Sequence, residues 1–263
     1  MSRIAFIGAG RIAQAFIQGL RDSSWELIAF DPQPEMLEVA EKLGAKTAKS
    51  NIDAVSKAET VIICTKPDKV HGALIEISKC LENRLVISVA AGTTIDQIEA
   101  VLRENTPIIR AMPNTPALIR SGITGLFARK EVLETQKNLA EKIMASIGKT
   151  IWVSSEQELN IVTALSGSGP AYFFLLMEYM IEAGREEGLD QELVEKLVIQ
   201  TALGAAKMAD LGLETPKKLK ENVTSPGGTT EAALNSYKED NFKEAVKKAV
   251  RLAKLKSIEL SEP

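Results

Sequence analysis

The chain has 263 residues, 45% of them hydrophobic and 25% charged, with a formal net charge of −3. That is an ordinary soluble globular composition with room for one large or two modest domains, and without long runs of either charge it argues against a nucleic-acid or membrane surface as the main partner. Two cysteines without metal-type spacing and a single histidine offer neither a metal cluster nor a disulfide framework; Cys64 and Cys80 read as reduced thiols in a cytoplasmic protein, and His71 as a helix-surface residue.

The first stretch organises the rest. Arg3-Ile-Ala-Phe-Ile-Gly-Ala-Gly-Arg-Ile-Ala13 runs from an apolar strand through Gly8-Ala9-Gly10 into a helical pattern on Ala13, Phe16, Ile17 and Leu20. This is the G-x-G-x-x-A form of the dinucleotide fingerprint. Gly8 allows the tight turn, Gly10 lets a pyrophosphate approach the backbone, and Ala13 lets the helix pack closely on the sheet. A bare glycine pattern is weak, but strand, helix and second strand follow in the required order. Glu26-Leu-Ile-Ala-Phe-Asp31 ends in an acid about twenty residues past the glycines, where a ribose-binding carboxylate is expected. Met1-Ser2-Arg3 leads directly into this strand, which leaves no room for a signal peptide.

Further strands are predicted at Ala45–Ala48, Thr60–Cys64, Arg84–Ala90, Pro107–Met112, Ile123–Phe127 and Thr150–Val153. Helices are predicted at Ile52–Lys57, Asp68–Lys79, Thr94 to about Glu104, and Val132–Ser146. Continuous rather than alternating Val/Ile runs suit strands covered on both faces, so residues 1–155 read as an α/β, Rossmann-like, doubly wound and mostly parallel sheet.

From residue 156 to 263 the strand signal disappears. Helical patterns cover Glu156–Leu165, Gly169–Glu187, Gln191–Asp210, Pro216–Asn222, Gly228–Lys238 and Phe242–Glu259, punctuated by Gly188, Gly212 and Gly227-Gly228. The Ala171–Met177 window is interrupted by Glu178 and Glu182 and is too short to span a bilayer. Phe173 to Ile181 leave almost no polar face on their helix, so it must be buried nearly all round. A second subunit is the natural cover, which predicts an all-α dimerisation domain and a homodimer.

Several stretches carry chemistry. Thr65-Lys66-Pro67 and Ser88-Val-Ala90-Ala91-Gly92 follow strands at the edge that faces the ligand crevice. Lys66 would either touch a cofactor or be solvated. Arg110-Ala-Met-Pro-Asn-Thr-Pro116 brackets Asn114 and Thr115 between prolines and reads as a rigid ligand wall. Ser166-Gly-Ser168-Gly-Pro-Ala171 and Ser225-Pro-Gly227-Gly228-Thr229-Thr230 set glycines, hydroxyls and free N–H groups at helix starts. Two such loops beside a dinucleotide fold predict a small anionic substrate held between domains.

Taken together, Gly8-Ala-Gly10, Thr65-Lys-Pro67, Ala90-Ala-Gly92, Met112-Pro-Asn-Thr-Pro-Ala117, Ser166-Gly-Ser-Gly-Pro-Ala-Tyr172 and Val223-Thr-Ser-Pro-Gly-Gly-Thr-Thr230 resemble the pyrroline-5-carboxylate reductase family along essentially the whole chain. The resemblance implies reduction of Δ1-pyrroline-5-carboxylate to L-proline by NADH or NADPH, the last step of proline biosynthesis. It also implies a dimer interlocked through helical domains, often assembled into decamers. By resemblance, Thr230 sets its hydroxyl near the imine nitrogen as the catalytic group. Gly227, Gly228, Thr229 and Ser168 bind the substrate carboxylate. The cofactor lies against Gly8, Ala9, Gly10, Arg11, Ile12, Asp31, Thr65, Lys66, Pro67, Ala90, Ala91, Gly92 and Asn114, with no metal. Asp31-Pro-Gln-Pro34 lacks the Arg or Lys that would receive a 2′-phosphate, which favours NADH.

Rival readings have their own discriminators. A hydroxyacid dehydrogenase of the 6-phosphogluconate type needs a lysine base on the first long helix of the second domain, and Pro170–Glu187 contains none. A non-catalytic NAD(H) sensor would have no use for the Ser225–Thr230 loop. A reductase of another cyclic imine remains an alternative, since one methylene shifts discrimination by only about 1–3 kcal/mol.

Overall fold

The computed structural model describes residues 2–102 and 106–261. The chain forms two compact units, Met1–Ser168 with Ala253–Pro263, and Gly169–Leu252.

The first unit alternates strands and helices in the order β1 (Arg3–Ile7), α1 (Arg11–Leu20), β2 (Glu26–Phe30), α2 (Pro34–Leu43), β3 (Lys46–Thr47), α3 (Asn51–Ser56), β4 (Thr60–Ile63), α4 (Pro67–Ile77), β5 (Leu85–Ser88), α5 (Ile95–Glu99), β6 (Ile108–Met112), β7 (Gly122–Ala128), α6 (Glu134–Met144) and β8 (Gly148–Trp152). The eight strands make one sheet in the order β3-β2-β1-β4-β5-β6-β7-β8. All neighbours are parallel except β6 and β7. That antiparallel pair was not specified by the sequence pattern. The predicted helix from Thr94 was expected to reach Glu104, which lies outside the described residues; its regular part ends at Glu99.

Successive residues of each strand feed opposite cores, which explains the unbroken apolar runs. Ile4, Phe6, Ile62, Ile87 and Ile109 pack with Phe16, Ile17 and Leu20 of α1 and Met144 of α6. Ala5, Ile7, Val61, Ile63 and Val86 pack on the other face with Leu74 and Ile77 of α4 and Ile98 of α5. Each fully buried side chain of this size contributes about 1.5–3 kcal/mol relative to exposure. That is why the chain tolerates so few polar residues in these strands.

After β8 come α7 (Glu158–Val162) and a single π turn over Thr163–Gly167, which continues into α8 (Gly169–Glu186). The predicted helix over Glu156–Leu165 is therefore shorter in its α-helical part. Ala171–Met177 alone is too short for a bilayer. In the structure it belongs to a longer helical run, Glu158–Glu186, that is long and apolar enough to cross one by length and composition alone. Within the single chain only 17% of the most apolar window of that run is buried.

The regular structure of the second unit is all helical: α8, α9 (Gln191–Asp210), α10 (Pro216–Asn222), α11 (Thr229–Glu239) and the first part of α12 (Phe242–Glu259). Asp190 caps α9 by accepting the N–H groups of Glu192 and Leu193 at 2.9 and 3.4 Å. Helices α8 and α9 pack so closely that a Cβ on Gly184 would stand 2.3 Å from Val194 Cγ2. Yet Phe173, Phe174, Leu176, Tyr179, Leu197 and Ile199 remain exposed. A lone chain cannot bury an apolar face of this kind, as the helix composition predicted.

Candidate active site

The glycine loop has the geometry the fingerprint demands. Gly8 sits at φ +94°, and its N–H donates to Phe30 O at 2.8 Å. A Cβ there would stand 3.0 Å from the backbone of Cys64 and Thr65, so side chains are excluded by both conformation and space. At Gly10 an added Cβ would meet nothing within 4 Å among the described residues. Open space thus lies over the start of α1, whose N-cap residue Gly10 supplies no side-chain cap. Ala13 is fully buried, as close helix–sheet packing requires. Arg11 is exposed and Ile12 half-buried.

Asp31 closes this loop in a way the sequence did not reveal. Its Oδ2 accepts the Ala9 N–H at 2.8 Å and its Oδ1 accepts the Gln33 N–H at 2.9 Å. The acid thus already buttresses the glycine loop. Each oxygen retains a lone pair for a ribose hydroxyl. Gln14 adds a further tie, its Nε2 donating to Ala9 O at 2.9 Å.

Strands β1 and β4 lie side by side, with Ile7 opposite Ile63, so Thr65 comes next to the glycine loop. The Thr65 Oγ1 is buried with no hydrogen-bond partner among the described residues. A buried hydroxyl without a partner is costly unless a ligand satisfies it, and one beside an open phosphate cradle fits a bound dinucleotide. Lys66 is exposed at the N-cap of α4, ahead of Pro67 at its first turn. Burial pushes the neighbouring Cys64 thiol well above its ordinary range, so it stays protonated and unreactive. Beyond β5, Ala90 is buried, Ala91 half-buried, and Gly92 is buried at φ +78°.

The Arg110–Pro116 segment differs from the irregular wall expected of it. Thr115–Ile119 forms a 3₁₀ helix, and Asn114 Oδ1 accepts the Ile123 N–H at 3.0 Å. The Asn114 side-chain carbonyl thus ties down Ile123 near the start of β7. Arg110 points elsewhere: its Nη1 lies 2.7 Å from Glu156 Oε1, with the two side chains only 10% and 15% exposed. The same Oε1 accepts the Ile95 N–H at 2.7 Å.

Ser166–Ser168 does not form the open loop expected from its glycine and serines, although a helix does start at Gly169. The chain keeps its helical path by widening one turn: Ser168 N–H donates to Thr163 O at 2.8 Å, and Ser166 Oγ to Val162 O at 2.9 Å. Single π turns of this sort recur at functional sites. Here it leaves Ser166 and Ser168 half-buried within the first unit.

In the second unit, Ser225–Gly228 does form a turn before α11, with Gly227 at φ +72°. Of the three carboxylate donors predicted in this turn, two already have partners. Gly227 N–H donates to Glu231 Oε2 at 2.8 Å and Gly228 N–H to Ser225 O at 3.0 Å. Glu231 was missed from sequence, although an acid three residues past a helix cap is a recognisable signal. Thr229 and Thr230 open α11, whose N-cap residue Gly228 supplies no side-chain cap.

With this geometry in view, the likeness to known proteins is informative. The family model "Pyrroline-5-carboxylate reductase dimerisation" matches residues 156–260, and "NADP oxidoreductase coenzyme F420-dependent" matches residues 3–92. A pyrroline-5-carboxylate reductase of Pseudomonas aeruginosa is 40% identical, covering 99% of this chain and 97% of its own. Pyrroline-5-carboxylate reductase 1 of Bacillus subtilis is 36% identical over 99% of this chain and 90% of its own. The solved pyrroline-5-carboxylate reductase of Coxiella burnetii has a TM-score of 0.93 and 41% identity, covering 100% of this chain and 99% of its own. A Plasmodium falciparum pyrroline carboxylate reductase, solved with NADP bound, has a TM-score of 0.89 and 30% identity over 99% of this chain and 98% of its own.

Proposed function

This chain belongs to the pyrroline-5-carboxylate reductase family, and on that footing we propose that it reduces Δ1-pyrroline-5-carboxylate to L-proline with a nicotinamide dinucleotide. The observation that carries the reading is end-to-end likeness to relatives of that name, in a chain with both an open dinucleotide loop and a turn-capped α11.

The cofactor, when bound, supplies hydride to the imine carbon. The residues of the chain orient and hydrogen-bond. The N–H groups at the start of α1 receive the pyrophosphate over Gly10. Asp31 receives the ribose while holding Ala9, and Thr65 Oγ1 gains the partner it lacks. Arg11, Ile12, Lys66, Pro67, Ala90, Ala91, Gly92 and the Asn114 amide line the same ligand. Thr230 donates its hydroxyl hydrogen bond at the ring nitrogen. A basic imine arrives partly protonated, so a strong protein acid is not required. The substrate carboxylate takes the Thr229 N–H first. It reaches Gly227 N–H only when Glu231 swings away, and Ser168 contributes a further donor. In this reading the functional boundary is 155/156, which the start of the dimerisation match at residue 156 supports; the compact units divide at Ser168/Gly169 instead.

NADH is the preferred cofactor in this reading. A carboxylate at Asp31 with no Arg or Lys in residues 31–34 repels a 2′-phosphate. The test is oxidation of each cofactor with racemic pyrroline-5-carboxylate, with proline identified as product. Turnover with a higher kcat/KM for NADH is expected. An NADPH preference would defeat the Asp31 argument. Absence of turnover despite NADH binding would favour a sensor or a different imine.

The exposed faces of α8 and α9 form the homodimer interface, and further assembly into decamers belongs to the same reading. Size-exclusion chromatography with light scattering should give at least twice the 28.5 kDa of one chain; a monomeric mass at micromolar concentration would count against it. A reducing, cytoplasmic setting accords with two free thiols, Cys64 and Cys80.

A further inference from the structure

The last turn of the chain returns to the sheet-containing unit and lies on the segment that follows β5. Gly92 is buried there at φ +78°, and an added Cβ would stand 2.8 Å from Leu260 O and 3.2 Å from Leu260 Cβ. The chain end approaches this turn so closely only because residue 92 has no side chain. Gln97 uses both ends of its amide. Its Oε1 accepts the Thr94 N–H at 2.9 Å, and its Nε2 donates to Ser261 O at 3.1 Å. Thr94 Oγ1 accepts the Gln97 N–H in return at 3.2 Å, which completes a capping box.

The chain end is itself anchored. Ser257 is only 5% exposed, and its Oγ donates to Asn160 Oδ1 at 2.7 Å. Ser261 Oγ donates to Ser257 O at 2.8 Å. Asn160 lies in α7, which runs directly into the π turn bearing Ser166. A single short segment, Ser257–Ser261, therefore ties the turn after β5 to the helix that leads into the π turn. A segment that packs on a ligand-facing turn and spans to a second candidate site restrains the position of both.

We propose that the carboxy-terminal turn Leu260–Ser261, through Gln97 and Gly92, holds the Ala90–Gly92 segment in register for the nicotinamide end of the dinucleotide, so that Gln97 is a positioning residue of the reaction. The proposal rests on the dinucleotide-reductase reading. It predicts an effect confined to the nicotinamide half of the cofactor, because the glycine loop and Asp31 bind the other half independently.

The substitution Gln97→Glu isolates the link. A glutamate keeps the acceptor for the Thr94 N–H, since either residue completes a capping box. It sets a carboxylate oxygen against the Ser261 carbonyl, where the amide had donated. Dissociation constants for NADH and for ADP-ribose are measured by fluorescence titration and competition, with the thermal midpoint recorded alongside. The Kd for NADH should rise about three- to tenfold and kcat should fall by a similar factor, while ADP-ribose binding and the midpoint stay unchanged. A chain ending at Glu259 should reproduce this profile. Combining the two changes should cost no more than either alone, as expected of two halves of one interaction. Unchanged NADH binding in both variants would overturn the proposal, and so would an equal loss of NADH and ADP-ribose affinity, which would indicate general damage to the unit. If the unaltered protein binds NADH but reduces no cyclic imine, the reductase reading falls, and the comparison of the two ligands still decides the role of the chain end.

Discussion

Replacing Glu156 with alanine is expected to cost about 3–5 kcal/mol of folding stability, the penalty for stranding one partner of a buried ion pair. The Glu156 carboxylate faces Arg110 at 2.7 Å, and both side chains are largely withdrawn from water. Its Oε1 also serves the Ile95 N–H at 2.7 Å. Truncation therefore leaves a guanidinium without its counter-charge and a backbone donor without its acceptor. Exposed ion pairs, by contrast, contribute about 0–1 kcal/mol, because water solvates the survivor. Urea unfolding distinguishes the two cases directly. Glu156→Gln should fall between, since it retains an acceptor for Ile95 and loses the charge. A midpoint shift for Glu156→Ala no larger than that of an exposed pair would show that water reaches Arg110.

Thr230→Ala should lower kcat at least about tenfold, the low end of what one positioned proton-handling group contributes. Thr230 is the second residue of α11 and is half-buried. Alanine is a good helix former, so the substitution removes a hydroxyl without disturbing the helix. Thr230→Ser should recover most of the activity. NADH affinity should be unchanged in both, because the proposed contacts of the hydroxyl are with substrate alone. Equal kcat in wild type and alanine variant would remove Thr230 from the mechanism. Loss of NADH binding would mean that the damage lies elsewhere.

The two effects differ in how readily the sequence disclosed them. Thr230 stands in Ser225–Thr230, a contiguous run whose glycines and hydroxyls announce a helix start. Glu156 and Arg110 are separated by 46 residues, and neither has a neighbour that marks it. The sequence reading placed Arg110 at the edge of a ligand wall. In the structure it faces inward, because a strand alternates its side chains between faces and position 110 falls on a covered one.

What the sequence determined by itself was everything that depends on short-range pattern. The strand–glycine–helix start, the unbroken apolar strands, the helix limits around Gly188 and Gly212, and the unpartnered apolar face of α8 all follow from spacing along a few consecutive residues. Backbone geometry and burial act locally there, so few readings compete.

Only the tertiary structure decided how distant groups satisfy one another. Ser166–Ser168 has the glycine and serines of a loop, yet the chain there follows a π turn and the Ser168 N–H finds Thr163 O, since a buried N–H must find an acceptor wherever the chain runs. Asn114 is locked by Ile123, and Asp31 serves Ala9 before any ribose. The chain end meets Gln97 across 164 residues. Each contact spends a polar group that sequence alone leaves free, because the demand for a partner is universal, while the partner's identity is a property of the folded chain.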